Sequence, residues 1–149
     1  MTRTGIAAAL TDLLFNRDIT VQEAADRHFT PEYRQRTDGK WADRAGFLEH
    51  ITHLRTLVAD GQVQVHEELC DGSRYADRHT AHITKNDGST VRMEVYVFAD
   101  LAPDGRFSRI EESTLMVQGS DTDRHIGSAR SDPARPQLAC GGLEFTATP

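Results

Sequence analysis

The sequence is poor in the residues that staple, chelate or kink a chain: of its 149 residues only two are cysteine, five are proline and one is tryptophan. Cys70 and Cys140 lie far apart with no ligand spacing around them, so neither a disulfide framework nor a zinc site is expected. Both read as free thiols of a cytoplasmic protein. Positive charge is short as well. Seventeen Lys and Arg stand against twenty-three Asp and Glu, a formal charge of -6, which gives no basic footprint for nucleic acid or an anionic membrane. Long apolar runs are missing too. The opening stretch MTRTGIAAALTDLLF is interrupted by Asp12 and runs into Asn16-Arg17-Asp18 with no small-residue cleavage site, so no leader peptide is expected there. No Ser–His–Asp elbow, phosphate loop or dinucleotide fingerprint occurs, and the expectation is a protein without a cofactor.

What is present is a globular balance, 38% apolar and 27% charged, in a length that suits one domain. Ile6 to Phe15 puts Ile6, Leu10, Leu13 and Leu14 on one helical face. Thr20 with Glu23 makes a capping box for a second helix, Val21 to Phe29, which Thr30-Pro31 closes. Tyr33 to Thr37 reads as a short strand before the turn Asp38-Gly39, and Trp41 sits in the turn that follows. From Asp43 to Val58 the apolar residues Phe47, Leu48, Ile51, Leu54, Leu57 and Val58 recur at helical spacing. The period then changes to 2. Gln62 to Leu69, Arg74 to Thr84, Val91 to Ala99 and Phe107 to Val117 read as strands separated by Asp71-Gly72, Asp87-Gly88 and Asp104-Gly105, which makes an antiparallel meander. The expected fold is α+β, a curved antiparallel sheet with three N-terminal helices on its concave face, over residues 1–118. Residues 119–149, rich in Gly, Ser, Asp, Arg and Pro, read as a tail or arm, either a solvated terminus or a segment folded across the partner subunit to close the pocket, with Leu138, Leu143 and Phe145 as the candidate anchors.

This order of elements resembles the nuclear transport factor 2-like superfamily, which includes SnoaL-like polyketide cyclases, ketosteroid isomerases and limonene epoxide hydrolases. Two stretches carry the likeness. Phe29-Thr30-Pro31-Glu32-Tyr33-Arg34-Gln35-Arg36 is similar to the FxxxYxQH entry into the first strand, with Arg36 where cyclases often have His. Asp104 to Glu112 is similar to the DGKIxxxxD hairpin that starts the last strand. The resemblance implies a cone-shaped sheet around a pocket for a small hydrophobic molecule, and a homodimer through the convex sheet face. It puts Glu112 where epoxide hydrolases have a catalytic Asp, Ile110 beside it, His79 where they have an Arg, and Ala81 where they have a second Asp. The loss of that second carboxylate argues against epoxide opening by their route.

Strand parity sends Tyr75, Asp77, His79 and Ala81 to one face of their strand, taken as inward. The same match points Glu94, Tyr96 and Phe98 inward on the next strand and leaves Met93, Val95 and Val97 on the convex face. The expected catalytic group is Glu112 as base and His79 as acid or electrostatic partner, with Asp77 beside them and Tyr96 or Tyr33 donating to an oxyanion. Tyr33, Arg36, Trp41, Tyr75, Glu94, Tyr96, Phe98 and Ile110 are the expected substrate contacts. Arg36 would bind an anionic ligand group or pair with Glu112. His50 and His53, three apart on the long helix, lack any accompanying carboxylate motif, and no metal is expected. Two readings stay open: a cofactor-independent cyclase, isomerase or epoxide hydrolase acting on a polyketide- or terpenoid-like substrate, and a non-catalytic ligand-binding or dimeric module of the same fold.

Overall fold

The computed structural model describes residues 3–128, so Cys140 and the anchors Leu138, Leu143 and Phe145 lie outside the described residues. Helix α1 (Ile6–Leu10) runs into a wider π-helical turn (Thr11–Phe15), closed by the Asn16 amide donating to the Thr11 carbonyl at 2.9 Å. The sequence pattern implies one continuous helix here. The widened turn adds a residue to the repeat and still buries Leu13 and Leu14. Helix α2 (Val21–His28) begins with the expected capping box: Thr20 Oγ1 accepts from the Glu23 amide at 3.0 Å, and Glu23 Oε2 accepts from the Thr20 amide at 2.7 Å.

Strand β1 (Phe29–Thr37) starts directly at the end of α2, four residues earlier than the sequence pattern implies. The Trp41 turn is itself a short strand, β2 (Lys40–Asp43), before helix α3 (Arg44–Leu57). The meander then follows as β3 (Val58–Asp71), β4 (Arg74–Lys85), β5 (Thr90–Leu101) and β6 (Phe107–Gln118). These strands form one curved, open six-stranded sheet in the order β2-β1-β6-β5-β4-β3. The meander is antiparallel as expected. β1 joins it in parallel beside β6, with Thr37 opposite Glu112 and Gln35 opposite Ile110. This pairing brings the first strand of the chain to the last, and it makes the wall on which the site is built.

The three helices cover one face of the sheet. Arg55 of α3 ties them together by donating to the carbonyls of Leu13 (2.6 Å), Asp12 (2.8 Å) and Ile19 (2.8 Å), which satisfies backbone acceptors at the end of the π turn. An aromatic cluster forms where α3 meets β1: Phe29, Tyr33 and Phe47 have ring centroids 4.6–4.9 Å apart. Beyond Gly119, two short 3₁₀ turns (Asp121–Asp123 and Ile126–Ser128) fold back over the open end of the sheet. Asp123 is buried there in an ion pair with Lys85 at 2.8 Å. No helix among the described residues is long and apolar enough to cross a membrane.

Candidate active site

Parity on β4 places Tyr75, Asp77, His79 and Ala81 on the helix-covered face, and the register of the sheet extends that face into rows. Asp77 lies opposite Val97, which lies opposite Glu112, which lies opposite Thr37. The next row runs His79, Val95, Thr114. Between this wall and the helices is a cavity in which the centre of a water-sized sphere has about 90 Å³ to move. Most of its lining is apolar, from Leu10 and Leu14 through Phe47 and Leu54 to Met93 and Ile110. Its polar lining comprises Tyr33, Gln35, His50, His79, Glu112 and Thr114, with no Lys or Arg. Ile126 and Gly127 close it from the C-terminal side, so part of the expected tail folds onto the cavity of its own chain.

Two polar assemblies lie on this wall, separated by Val95 and Val97 of β5. On β4, His79 Nδ1 lies 2.7 Å from Asp77 Oδ2, with side chains 1% and 0% exposed. With Asp77 ionised, the bond needs the ring proton on Nδ1, and in the neutral ring Nε2 is then the acceptor of a side chain that lines the cavity. Asp77 Oδ1 is buried and has no hydrogen-bond partner among the described residues. Burial pushes the Asp77 carboxyl above its usual range, and the bond to His79 pulls the other way. On β1 and β6, a chain of donors runs in one direction. Tyr33 Oη donates to Gln35 Oε1 (2.9 Å), Gln35 Nε2 to Thr37 Oγ1 (3.2 Å), and Thr37 Oγ1 to Glu112 Oε1 (2.9 Å). Period 2 makes this possible, because residues 33, 35 and 37 share the inner face of one strand.

Burial dominates at Glu112 and raises its carboxyl above the usual range, against the Thr37 hydrogen bond and the His79 ring, which favour the anion; Asp38 and Asp77 add to the rise. Burial, then the Glu112 charge, lifts the Tyr33 phenol well above its ordinary value. The wall therefore holds one imidazole oriented by a carboxylate and one carboxyl that keeps its proton to higher pH than in water. Strand spacing puts the Cα atoms of His79 and Glu112 roughly 12 Å apart. Both line the same cavity.

Several expected contacts lie elsewhere. Glu94, Tyr96 and Phe98 are on the outer face of β5, Tyr96 and Phe98 being 46% and 74% exposed, and Met93, Val95 and Val97 are inside. The physical reason is the β4–β5 hairpin. Its register sets His79 opposite Val95 and Asp77 opposite Val97, and residues directly opposite share a face. Tyr96 is therefore no oxyanion donor for this cavity. Arg36 is exposed, since it is out of phase with Tyr33, and Gln35 occupies the inward position that the sequence reading missed. Trp41 is 48% exposed on β2 beneath the Arg34 guanidinium, 4.8 Å from ring centroid to Cζ, and lines a neighbouring groove. Tyr75 is buried but does not line the cavity: its hydroxyl donates to Glu68 (2.9 Å) and accepts from the Ile6 amide (3.3 Å). His50 faces the cavity whereas His53 lines a different groove, so the helical pair does not converge. No cluster of three His, Cys, Asp or Glu able to hold a metal ion occurs among the described residues.

A curved, open six-stranded sheet with N-terminal helices on one face is the nuclear transport factor 2-like fold. Within that class the chain belongs to the SnoaL-like domain family, whose model matches residues 7–110. An uncharacterized protein of Schizosaccharomyces pombe is 34% identical over 122 residues, 82% of this chain and 89% of that protein. Among solved structures, AclR of Streptomyces galilaeus shares the fold with a TM-score of 0.61 at 14% identity, over 87% of this chain and 85% of its own. SalBIII, an epoxide hydrolase/cyclase-like enzyme in pyran-ring formation of the polyether salinomycin, aligns with a TM-score of 0.59 at 17% identity, over 74% of this chain and 87% of its own.

Proposed function

We propose that this chain is a cofactor-independent acid–base enzyme of the cyclase, isomerase or epoxide-opening kind, acting on a small, neutral, mostly apolar oxygenated molecule. The observation that carries this reading is that His79, bonded to the buried Asp77, lines the same cavity as Glu112. His79, oriented by Asp77, takes a proton at Nε2 from a carbon next to a carbonyl or from an attacking hydroxyl or water. Glu112, whose burial favours the protonated form, donates to the substrate oxygen where charge develops. These roles reverse the sequence-based expectation of Glu112 as base, because Asp77 is placed to hold His79 as an acceptor. A neutral ligand is favoured because the cavity lining carries a carboxyl and no Lys or Arg, so a buried anion would find no permanently charged partner there.

The test is α-proton exchange of cyclohexanone in D₂O, followed by proton NMR with the full chain. Exchange above the buffer rate is expected, with a drop of about 10²-fold or more in His79→Gln and a clear reduction in Glu112→Gln. Full exchange in both variants would falsify the assignment. A second reading, a binding module without chemistry, is favoured by Val97 standing between Asp77 and Glu112 in the sheet register. Binding of the ketone with no exchange would support that reading. We also propose a homodimer through the outer sheet face, supported by the exposed residues Leu69, Tyr96, Phe98, Leu115 and Val117.

A further inference from the structure

The β1–β2 hairpin turns on Asp38 and Gly39, with φ of 49° and 85°, and Asp38 is the residue other than glycine with positive φ among the described residues. A two-residue turn of this hand suits Asn-Gly and Asp-Gly, and either residue would satisfy the backbone. Here the side chain does more than tolerate the turn. The parallel pairing of β1 with β6 ends at Thr37 opposite Glu112, where β1 bends away. The Asp38 amide donates to the Glu112 carbonyl at 3.0 Å. Its carboxylate then takes over from the departed strand, Oδ1 accepting from the Thr114 amide (2.8 Å) and Oδ2 from the Thr114 hydroxyl (2.5 Å). Asp38 thus grips β6 from the Glu112 carbonyl to Thr114, one residue along from the Thr37 hydroxyl that donates to Glu112.

We propose that Asp38 is a positioning residue for Glu112: it fixes the Thr37–Glu112 hydrogen bond through the β6 backbone and supplies a negative charge behind the carboxyl. The inference rests on the reading of Glu112 as proton donor given above. Besides Asp38, the titratable groups that face Glu112 or share its cavity are Tyr33 on β1, His50 on α3, and Asp77 and His79 on β4. β5 contributes only the apolar Val95 and Val97 to the wall between them. Like charge behind a carboxyl favours its protonated form, and Asp38 is placed to exert that effect without entering the cavity.

The decisive variant is Asp38→Asn, since asparagine suits the turn and keeps an acceptor for the Thr114 amide while losing the charge. Asp38→Gly is the second variant, free to adopt the same φ and stripped of the side chain. The full chain is labelled with ¹³C at glutamate carboxyls, the Glu112 signal is assigned by its loss in Glu112→Gln, and its titration is followed without substrate. Melting temperatures show whether each variant is folded. In the folded variants the Glu112 midpoint is expected to move a few tenths of a pH unit to the acid side. The alkaline limb of the cyclohexanone exchange profile moves with it. An unmoved midpoint in both variants overturns the proposal. A moved midpoint in a chain that shows no exchange at all upholds the placement of Asp38 and overturns the proton-donor reading instead.

Discussion

At the scale of single residues, Glu112 couples the site to stability. Its carboxyl titrates higher in the folded chain than in the unfolded one, so between those two values the folded state binds more protons. Stability contributed by this group is therefore present at acid pH and falls as pH rises from the ordinary carboxyl range to the raised value. Glu112→Gln removes the penalty of ionising there and keeps an acceptor for the Thr37 hydroxyl. The variant is expected to melt a few degrees above the parent at pH 7–8 and to lose that advantage near pH 4, as thermal unfolding followed by circular dichroism across pH would show. A parent chain with the same pH dependence as the variant would contradict it. On β4 both faces carry polar residues, so alternation alone does not choose between them; the family resemblance and Tyr75 point Asp77 and His79 inward, and the structure buries them there. The sequence reading failed on β5, where Met93, Val95 and Val97 on one side and Tyr96 and Phe98 on the other are both apolar. The turn residues alone mislead here. A two-residue Asp87-Gly88 turn would pair residues that sum to 175 and set Val95 beside Thr80, whereas the structure closes a three-residue loop with Lys85 opposite Ser89, so that pairs sum to 174 and Val95 lies beside His79. The same parity on β1 admits Gln35 and Thr37 with Tyr33, and excludes Arg36.

At the scale of elements, the helices and the meander follow from apolar period, capping and Asp-Gly turns, and their bounds moved by only a few residues. Less legible was what depends on contacts between distant segments: the π turn, the parallel pairing of β1 with β6, and the role of Gly61. Asp60-Gly61 just past α3 has the composition of a helix stop, yet the structure puts Gly61 inside β3. A Cβ at this position would lie 2.4 Å from the His82 carbonyl and 2.5 Å from the Phe15 ring. The close approach lets the π turn pack its last aromatic directly onto the β3–β4 pair, with Phe15 in the gap a side chain would fill. Gly61→Ala must push backbone or ring aside, so a loss of about 1–3 kcal/mol is expected. Urea denaturation would check it, and a midpoint equal to the parent's would show that the approach is looser than described.

At the scale of the whole molecule, the correction on β5 changes what the proposed dimer would bury. Met93, Val95 and Val97 are already covered by the cavity side, and the outer face instead carries Leu69, Ala76 and Phe98 in one row across β3, β4 and β5, with Tyr96 and Leu115 adjoining. A contiguous apolar patch on a sheet face costs solubility unless something covers it, and a second copy of the same face is self-complementary about a two-fold axis. Light scattering after gel filtration is then expected to give twice the 16.6 kDa chain mass. Phe98→Lys places a charge in the centre of the patch in both copies and should return the mass to that of a monomer. Because Phe98 points away from the cavity, the monomeric variant is also expected to keep its proton-exchange rate within about two-fold, as residues on opposite faces act independently. A dimer unaffected by Phe98→Lys would move the interface off this face. A monomer that loses exchange would mean instead that the strands carrying His79 and Glu112 hold their register only when their outer side is packed.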